Sequence, residues 1–180
     1  MNGKPSISQT VTLALPNYLS NYKLTDGSLV NVRIIDTAGM ETFRAINTSY
    51  YRQANCCLLV YDITDKRTFD DCKKYYKGNI EEYCPKNIPI VLLGNKSDME
   101  NERKVPAIDA SEFAAENNYI YLETSCLKNK NVANAFETLI EIANREEKRK
   151  GEDDCRQSIT ITKNDIKKKK KKCYFNKINE

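Results

Sequence analysis

Ile88-Pro89-Ile90-Val91-Leu92-Leu93 runs directly into Gly94-Asn95-Lys96-Ser97-Asp98, an apolar stretch ending abruptly in a polar loop. Continuous rather than alternating apolarity marks a strand covered on both faces, as strands of a parallel sheet are. A similar run, Cys56-Cys57-Leu58-Leu59-Val60-Tyr61, lies upstream, and a shorter one, Tyr119–Glu123, lies downstream. Between them the apolar spacing becomes helical. Thr64 and Asp65 offer caps before the stripe Phe69, Cys72, Tyr76 and Ile80. Pro106 suits the first turn of a helix carrying Phe113 and Ala114. Val132, Ala135, Phe136, Leu139, Ile140 and Ala143 follow one face of a last helix, and beyond Arg145 charge replaces the stripe. Ahead of these elements, Asn17–Leu24 and Leu29–Ile35 are β-prone runs joined by Thr25-Asp26-Gly27-Ser28, whose Asp-Gly is a hairpin signal. Strand alternating with helix predicts an α/β layer fold with a parallel sheet. Ligands of such sheets bind in the loops past the carboxyl ends of the strands.

Three of those loops carry chemistry. After Ile35 comes Asp36-Thr37-Ala38-Gly39, a carboxylate at a strand end and a glycine that lets backbone approach a ligand, which suits a Mg²⁺-phosphate site. After Leu93 comes Asn95-Lys96-Ser97-Asp98. A carboxylate fixed there accepts hydrogen bonds from N1 and N2 of guanine. Adenine has no donor at N1 and would leave the carboxylate unpaired, so discrimination is steep. After the third run comes Glu123-Thr124-Ser125-Cys126, whose amides are placed to meet the guanine carbonyl. Taken singly, each string also describes an ordinary turn or surface loop. Their order, each after a strand, is what makes them specific.

Composition narrows the alternatives. The chain has 180 residues, 40% hydrophobic and 30% charged, and reads as one soluble globular domain. It contains no histidine, which removes Ser-His and Cys-His nucleophile pairs. Its seven cysteines lack paired C-x-x-C spacing, which argues against zinc and for a reducing, cytoplasmic setting. No secretory leader and no bilayer-length apolar run is read. The net charge of +4 is concentrated at the end, where residues 163–180 hold eight lysines against Asp165 and Glu180. The rest is slightly acidic, so no nucleic-acid-gripping body is expected. The organisation predicted is a domain over 1–150 and a flexible basic tail over 151–180.

The motifs D-T-A-G-x-E (36–41), N-K-x-D (95–98) and E-T-S-x (123–126) resemble three nucleotide-site motifs of the Ras superfamily of small GTPases. Thr42-Phe43-Arg44-Ala45-Ile46, Tyr50-Tyr51-Arg52-Gln53-Ala54 and Leu59-Val60-Tyr61-Asp62-Ile63-Thr64 resemble segments of its Rab branch. The likeness runs from about Tyr18 to Ala143. It implies a P-loop NTPase-like fold, with a mostly parallel six-stranded sheet and helices on both faces. It also implies GTP and GDP binding with Mg²⁺, and a switch in vesicle traffic served by exchange factors, GTPase-activating proteins and effectors. By motif, Asp36 would hold Mg²⁺ through water and Gly39 would sense the γ-phosphate. Asn95 and Asp98 would fix the guanine loop and base, the Lys96 stem would lie along the base, and Ser125 and Cys126 would complete the pocket. The same resemblance implies a monomer, cytoplasmic and peripheral on the cytosolic face of an endomembrane.

Departures from the family are as informative. No G-x-x-x-x-G-K-[ST] occurs in the 180 residues, and the only glycine before Asp26 is Gly3. In the family that phosphate-binding loop comes with a strand and a helix, roughly thirty residues in all. That strand is central, so two strand edges and one side of the core are expected to be uncovered without it. The expectation is that the first strand, P-loop and first helix are missing by truncation; a naturally loopless GTPase is the alternative. Met40 stands where the family has a water-orienting glutamine, and a thioether cannot orient water as an amide does. With the loop absent and Met40 at this position, poor nucleotide binding and low or absent hydrolysis are expected of this chain, and slow hydrolysis even with the loop restored. Thr10 is the candidate switch threonine, with Ser6 and Thr12 as alternatives. Ile35 replaces a tryptophan usual in Rab proteins, and Leu127 replaces a family lysine over the base.

Lys167 to Lys172 followed by Cys173 resembles the basic, lipid-modified tail of the family. Each lysine near an anionic leaflet contributes about 1 kcal/mol. Cys173 is followed by seven further residues and matches no prenylation signal, which leaves palmitoylation or a plain solvated tail. Besides the switch, two other readings stand: an interaction protein that holds no nucleotide, and a basic-tail adaptor for membrane or RNA.

Overall fold

Asp26 and Gly27 turn the chain where the sequence places the hairpin. In the computed structural model, which describes residues 17–36 and 50–157, β1 (Asn17–Lys23) and β2 (Leu29–Ile35) pair antiparallel, from Asn17 opposite Ile35 to Lys23 opposite Leu29. Gly27 adopts φ 84°, a left-handed conformation open to glycine, and donates to the Leu24 carbonyl at 2.9 Å. The Asp26 carboxylate accepts from the Ser28 amide at 2.9 Å and closes the turn. Leu24, read as strand, lies in the turn and is buried. The Thr25 amide donates to Glu141 at 2.7 Å and ties the hairpin to the last helix.

The apolar runs form a second, all-parallel sheet. Strands β3 (Cys57–Asp62), β4 (Ile90–Asn95) and β5 (Ile120–Glu123) lie in the order β3-β4-β5. Side chains alternate across it. Leu59, Tyr61, Ile90 and Leu92 bury one face, and Val91 and Leu93 bury the other. Helices cover both. On the first face lie α1 (Lys66–Asp71), the π-helical segment Cys72–Tyr76, α2 (Lys77–Tyr83) and α3 (Ala107–Glu116), which contribute Phe69, Cys72, Ile80, Ala110, Phe113 and Ala114. On the second lies α4 (Val132–Gln157), with Ala135 and Leu139. Each large side chain withdrawn from water here contributes about 1.5–3 kcal/mol. The rings of Phe69 and Phe113 meet edge to face at 5.8 Å, joining α1 to α3.

Local chemistry explains the element ends. Asp65 caps α1 by accepting from the Arg67 amide at 3.0 Å, as read from the sequence. The stripe of Phe69, Cys72 and Ile80 is held to one face by a wide turn, in which the Lys77 amide bonds the Cys72 carbonyl five residues back. Pro106 sits one residue before α3 with extended ψ 136°, as its cap and not within its first turn. Helix α4 outruns its apolar stripe and continues to Gln157. Glu, Lys and Arg are strong helix formers, and Arg149 pairs with Glu146 at 3.0 Å. The chain divides into two compact units, Met1–Arg145 and Glu146–Glu180. Among the described residues no helix is long and apolar enough to cross a membrane.

The two sheets share no ladder. Among the described residues β2 pairs only with β1, and β3 only with β4. Val60, in the middle of β3, is 50% exposed.

Candidate guanine-recognition site

Parallel pairing brings the carboxyl ends of β3, β4 and β5 to one rim. Gly94 lies beside Tyr61 on one side and Glu123 on the other. A Cβ on residue 94 would stand 2.8 Å from the Tyr61 hydroxyl and 3.0 Å from its Cζ, so glycine is what lets that ring lie across the strand. From here the chain enters Asn95–Asp98, and its neighbour enters Thr124–Cys126. The Thr124 amide donates to the Gly94 carbonyl at 2.9 Å, and the Ser97 amide donates to the Thr124 carbonyl at 3.0 Å. The two loops are thereby stitched as they leave the sheet.

Asn95, Asp98, Ser125 and Cys126, four residues singled out from the sequence, converge across this seam. Asn95 Oδ1 accepts from Thr124 Oγ1 at 3.3 Å and faces Cys126 Sγ at 3.6 Å. Ser125 is fully buried, and its hydroxyl donates to Asp98 Oδ1. That bond, helped by Lys128 and Lys96, holds the Asp98 carboxyl below its ordinary range, so it is ionised at neutral pH. A carboxylate has about four lone-pair sites, and one hydroxyl leaves acceptor capacity for a ligand. Ser125 also accepts from the Lys128 amide at 3.1 Å, while its backbone pairs both ways with Lys130. Asn129 and Asn131 take left-handed φ of 48° and 58°, which asparagine tolerates, and so close the loop. Leu127, at the family's lysine position, is 83% exposed.

Lys96 is the one described residue other than glycine and asparagine with positive φ, at 66°. Such a conformation costs about 1–3 kcal/mol and persists where surrounding bonds enforce it. Here its ammonium reaches Asp62 Oδ2 at 2.6 Å, at the end of β3. Asp62 is already bound by the Thr64 amide at 2.8 Å and hydroxyl at 2.7 Å. Burial pushes the Asp62 carboxyl up, but Lys96 and Thr64 outweigh it and hold the carboxyl below its usual range.

Sequence reasoning missed a second tie between the loops. Arg103 forks to Glu123, at the end of β5, and to Glu100, in the 3-10 turn Glu100–Glu102 that follows Asp98. The Arg103–Glu100 spacing of three was available as a signal. The partner twenty residues on was not.

Asp36 follows β2 and is exposed. Because β2 and β3 share no ladder, hydrogen bonding within the sheet does not fix Asp36 against the Asn95–Asp98 loop. Gly39, Met40, Thr10 with its alternatives Ser6 and Thr12, Lys167–Lys172 and Cys173 lie outside the described residues. Among the described residues no group of three His, Cys, Asp or Glu is arranged to hold a metal. Mg²⁺ in phosphate sites leans on one or two carboxylates plus the phosphates themselves, and Asp36 is chemically suited to that.

Residues 5–145 match the Ras family. The chain is 39% identical over 155 residues to the GTP-binding protein ypt3 of Schizosaccharomyces pombe, covering 81% of this chain and 72% of that protein. It is 44% identical over 115 residues to the Ras-related protein Rab11A of Lotus japonicus, covering 64% of this chain and 50% of the relative. It is also 44% identical over 111 residues to the Ras-related protein RABA4b of Arabidopsis thaliana, covering 62% and 49%. The chain spans about half the length of most of these curated relatives.

Proposed function

Because this chain belongs to the Ras family, we propose that it is the guanine-recognising body of a Rab-like small GTPase, a GTP- and GDP-dependent switch in vesicle-mediated transport. The observation that carries this is the ionised Asp98, oriented by buried Ser125 at the seam of two strand-end loops. Its remaining acceptor capacity matches the N1 and N2 donors of guanine. Asn95 braces the seam, and Cys126 and the Ser125 backbone flank the base. Lys96, anchored by Asp62, lends its aliphatic stem as one wall. Asp36 and Thr10 serve Mg²⁺, which supplies phosphate charge neutralisation when bound, and the Gly39 amide meets the γ-phosphate.

Met40 offers no amide to orient water, so intrinsic hydrolysis by this protein is slow. Exchange factors, GTPase-activating proteins and effectors are its partners. The basic run Lys167–Lys172, with Cys173 as an acylation site, draws it to an anionic endomembrane surface from the cytoplasm.

The direct test is fluorescent GDP binding to the 180-residue chain, with unlabelled GTP, GDP and ATP as competitors. Displacement by the guanine nucleotides alone is expected. Equal displacement by ATP would remove the reading. A second reading, an interaction protein holding no nucleotide, is favoured by the missing ladder between β2 and β3 and by the absence of G-x-x-x-x-G-K-[ST] from these residues. Failure of GDP to bind at all would select it.

A further inference from the structure

Arg103 belongs to none of the motifs above, yet all five of its N–H bonds are engaged. Nε and Nη2 donate to Glu100 Oε1 and Oε2 at 2.8 and 2.6 Å. Nη1 and Nη2 donate to Glu123 Oε1 and Oε2 at 2.8 and 2.9 Å, and Nη1 also donates to the Val105 carbonyl at 3.1 Å. The side chain is only 14% exposed. On the far side, Tyr121 donates to Glu123 Oε1 at 2.6 Å, and its hydroxyl lies 3.3 Å from that of Tyr61. One planar cation thus holds two carboxylates, one at the end of β5 and one in the turn after Asp98, each by a paired fork.

The placement is symmetrical about the proposed base-reading pair. Glu100 lies two residues after Asp98, and Glu123 lies two residues before Ser125. We propose that Arg103 is a positioning residue for guanine selectivity, clamping the two loops so that Asp98 and Ser125 keep the spacing a purine edge requires. This rests on the guanine reading of the site. Removing the cation does more than delete a tie. It leaves Glu100 and Glu123 facing each other, and like charges at this range drive the loops apart. Burial raises the Glu123 carboxyl most and Glu100 adds a little, against the stronger combined pull of Arg103 and Tyr121. Few other bonds resist that opening. Among the described residues the backbone bonds between the two loops are Thr124 to Gly94, at the strand ends, and Ser97 to Thr124, helped by the Asn95 and Asp98 side chains.

The test compares Arg103→Ala, Arg103→Lys and Leu139→Ala in the full chain. Leu139 is buried with Val91 and Leu93 and takes no part in the bonds of Arg103, so its variant destabilises the core while leaving the clamp's own bonds in place. Inosine diphosphate lacks the N2 amine and so reports how well Asp98 is aimed. The preference for GDP over inosine diphosphate is expected to fall about tenfold in Arg103→Ala, in line with losing a charged hydrogen bond. Arg103→Lys, which cannot fork to both carboxylates, recovers only part. Leu139→Ala lowers the melting temperature with the preference intact. An unchanged preference in Arg103→Ala, or an equal loss in Leu139→Ala, overturns the proposal.

Amide hydrogen exchange without nucleotide judges the clamp separately. Arg103→Ala should speed exchange in residues 97–100 and 124–130 together, by about tenfold, with 91–93 unaffected. Opening of one loop alone, or of all three segments alike, refutes the clamp. If the unmodified chain binds no guanine nucleotide but this exchange pattern holds, the guanine reading fails and the clamp stands.

Discussion

Gly94→Ala places one methyl group where the structure has no room for it. The added Cβ would lie 2.8 Å from the Tyr61 hydroxyl, 3.0 Å from its Cζ and 3.1 Å from Ile63 Cγ2. Ordinary carbon contacts begin near 3.4 Å, so the ring or the strand must retreat by about half an ångström. Neither neighbour yields easily. Tyr61 is 2% exposed, its ring is packed on Phe69 with centroids 4.9 Å apart, and its hydroxyl meets that of Tyr121. Ile63 is fully buried. Overpacking of this kind costs about 1–3 kcal/mol, and the rigidity of the site argues for the upper end. For a chain of this size that corresponds to a melting temperature lower by roughly 6–12 °C. Because the Gly94 carbonyl receives the Thr124 amide, the same displacement reaches the guanine loops, and GDP should leave faster. The assay is thermal unfolding followed by circular dichroism on Gly94→Ala, Tyr61→Phe and the double variant. Tyr61→Phe removes the atom at 2.8 Å, so the double variant should be more stable than the two single losses predict. A melting temperature unchanged in Gly94→Ala, or strict additivity, would refute the reasoning.

Other outcomes follow from the same geometry. Asp98→Asn puts a donor where guanine presents donors, so GDP affinity should fall about a hundredfold and xanthine nucleotides, with a carbonyl at C2, should gain; competition binding reads both. In a chain with a phosphate-binding loop restored ahead of it, Met40→Gln should raise single-turnover GTP hydrolysis at least about tenfold, and equal rates would show that position 40 does not orient water. Acid should loosen the loops after β4 and β5. Burial raises the Glu123 carboxyl, but Arg103 and Tyr121 outweigh it and hold the folded value below the ordinary 4.5, so the stabilisation is complete above 4.5 and is lost as pH falls through the folded value. Glu123→Gln should therefore flatten the pH dependence of stability in that acid range, as followed by acid titration of the circular dichroism signal.

The residues that announce themselves in the sequence are those whose neighbours in space are also neighbours in the chain, or whose pattern repeats. The hairpin was legible because Asp26-Gly27 is a local turn device, and β3 and β4 because Cys57–Tyr61 and Ile90–Leu93 are unbroken apolar runs. Asn95, Asp98, Ser125 and Cys126 were legible as a set, because each string follows a strand of a parallel sheet and topology gathers such ends. The bond from Arg103 to Glu123 was not legible, because nothing local distinguishes that arginine from a solvated one. The π-helical turn at Cys72–Tyr76 was hidden because its one-residue widening barely shifts an apolar stripe. Helix α4 ran on to Gln157 because the stripe reports packing, while propensity alone can carry a charged helix further.

Strand β3 carries one flank to which, among the described residues, no other strand is hydrogen-bonded. From Cys57 to Tyr61 it contains no charge and no proline, the devices by which lone flanks deter strangers. A second molecule meeting that flank needs no unfolding to lay its own strand alongside. Concentrating the protein should therefore raise its light scattering steeply. A single ammonium group, introduced by Val60→Lys at the half-exposed side chain in the middle of β3, should keep the solution clear.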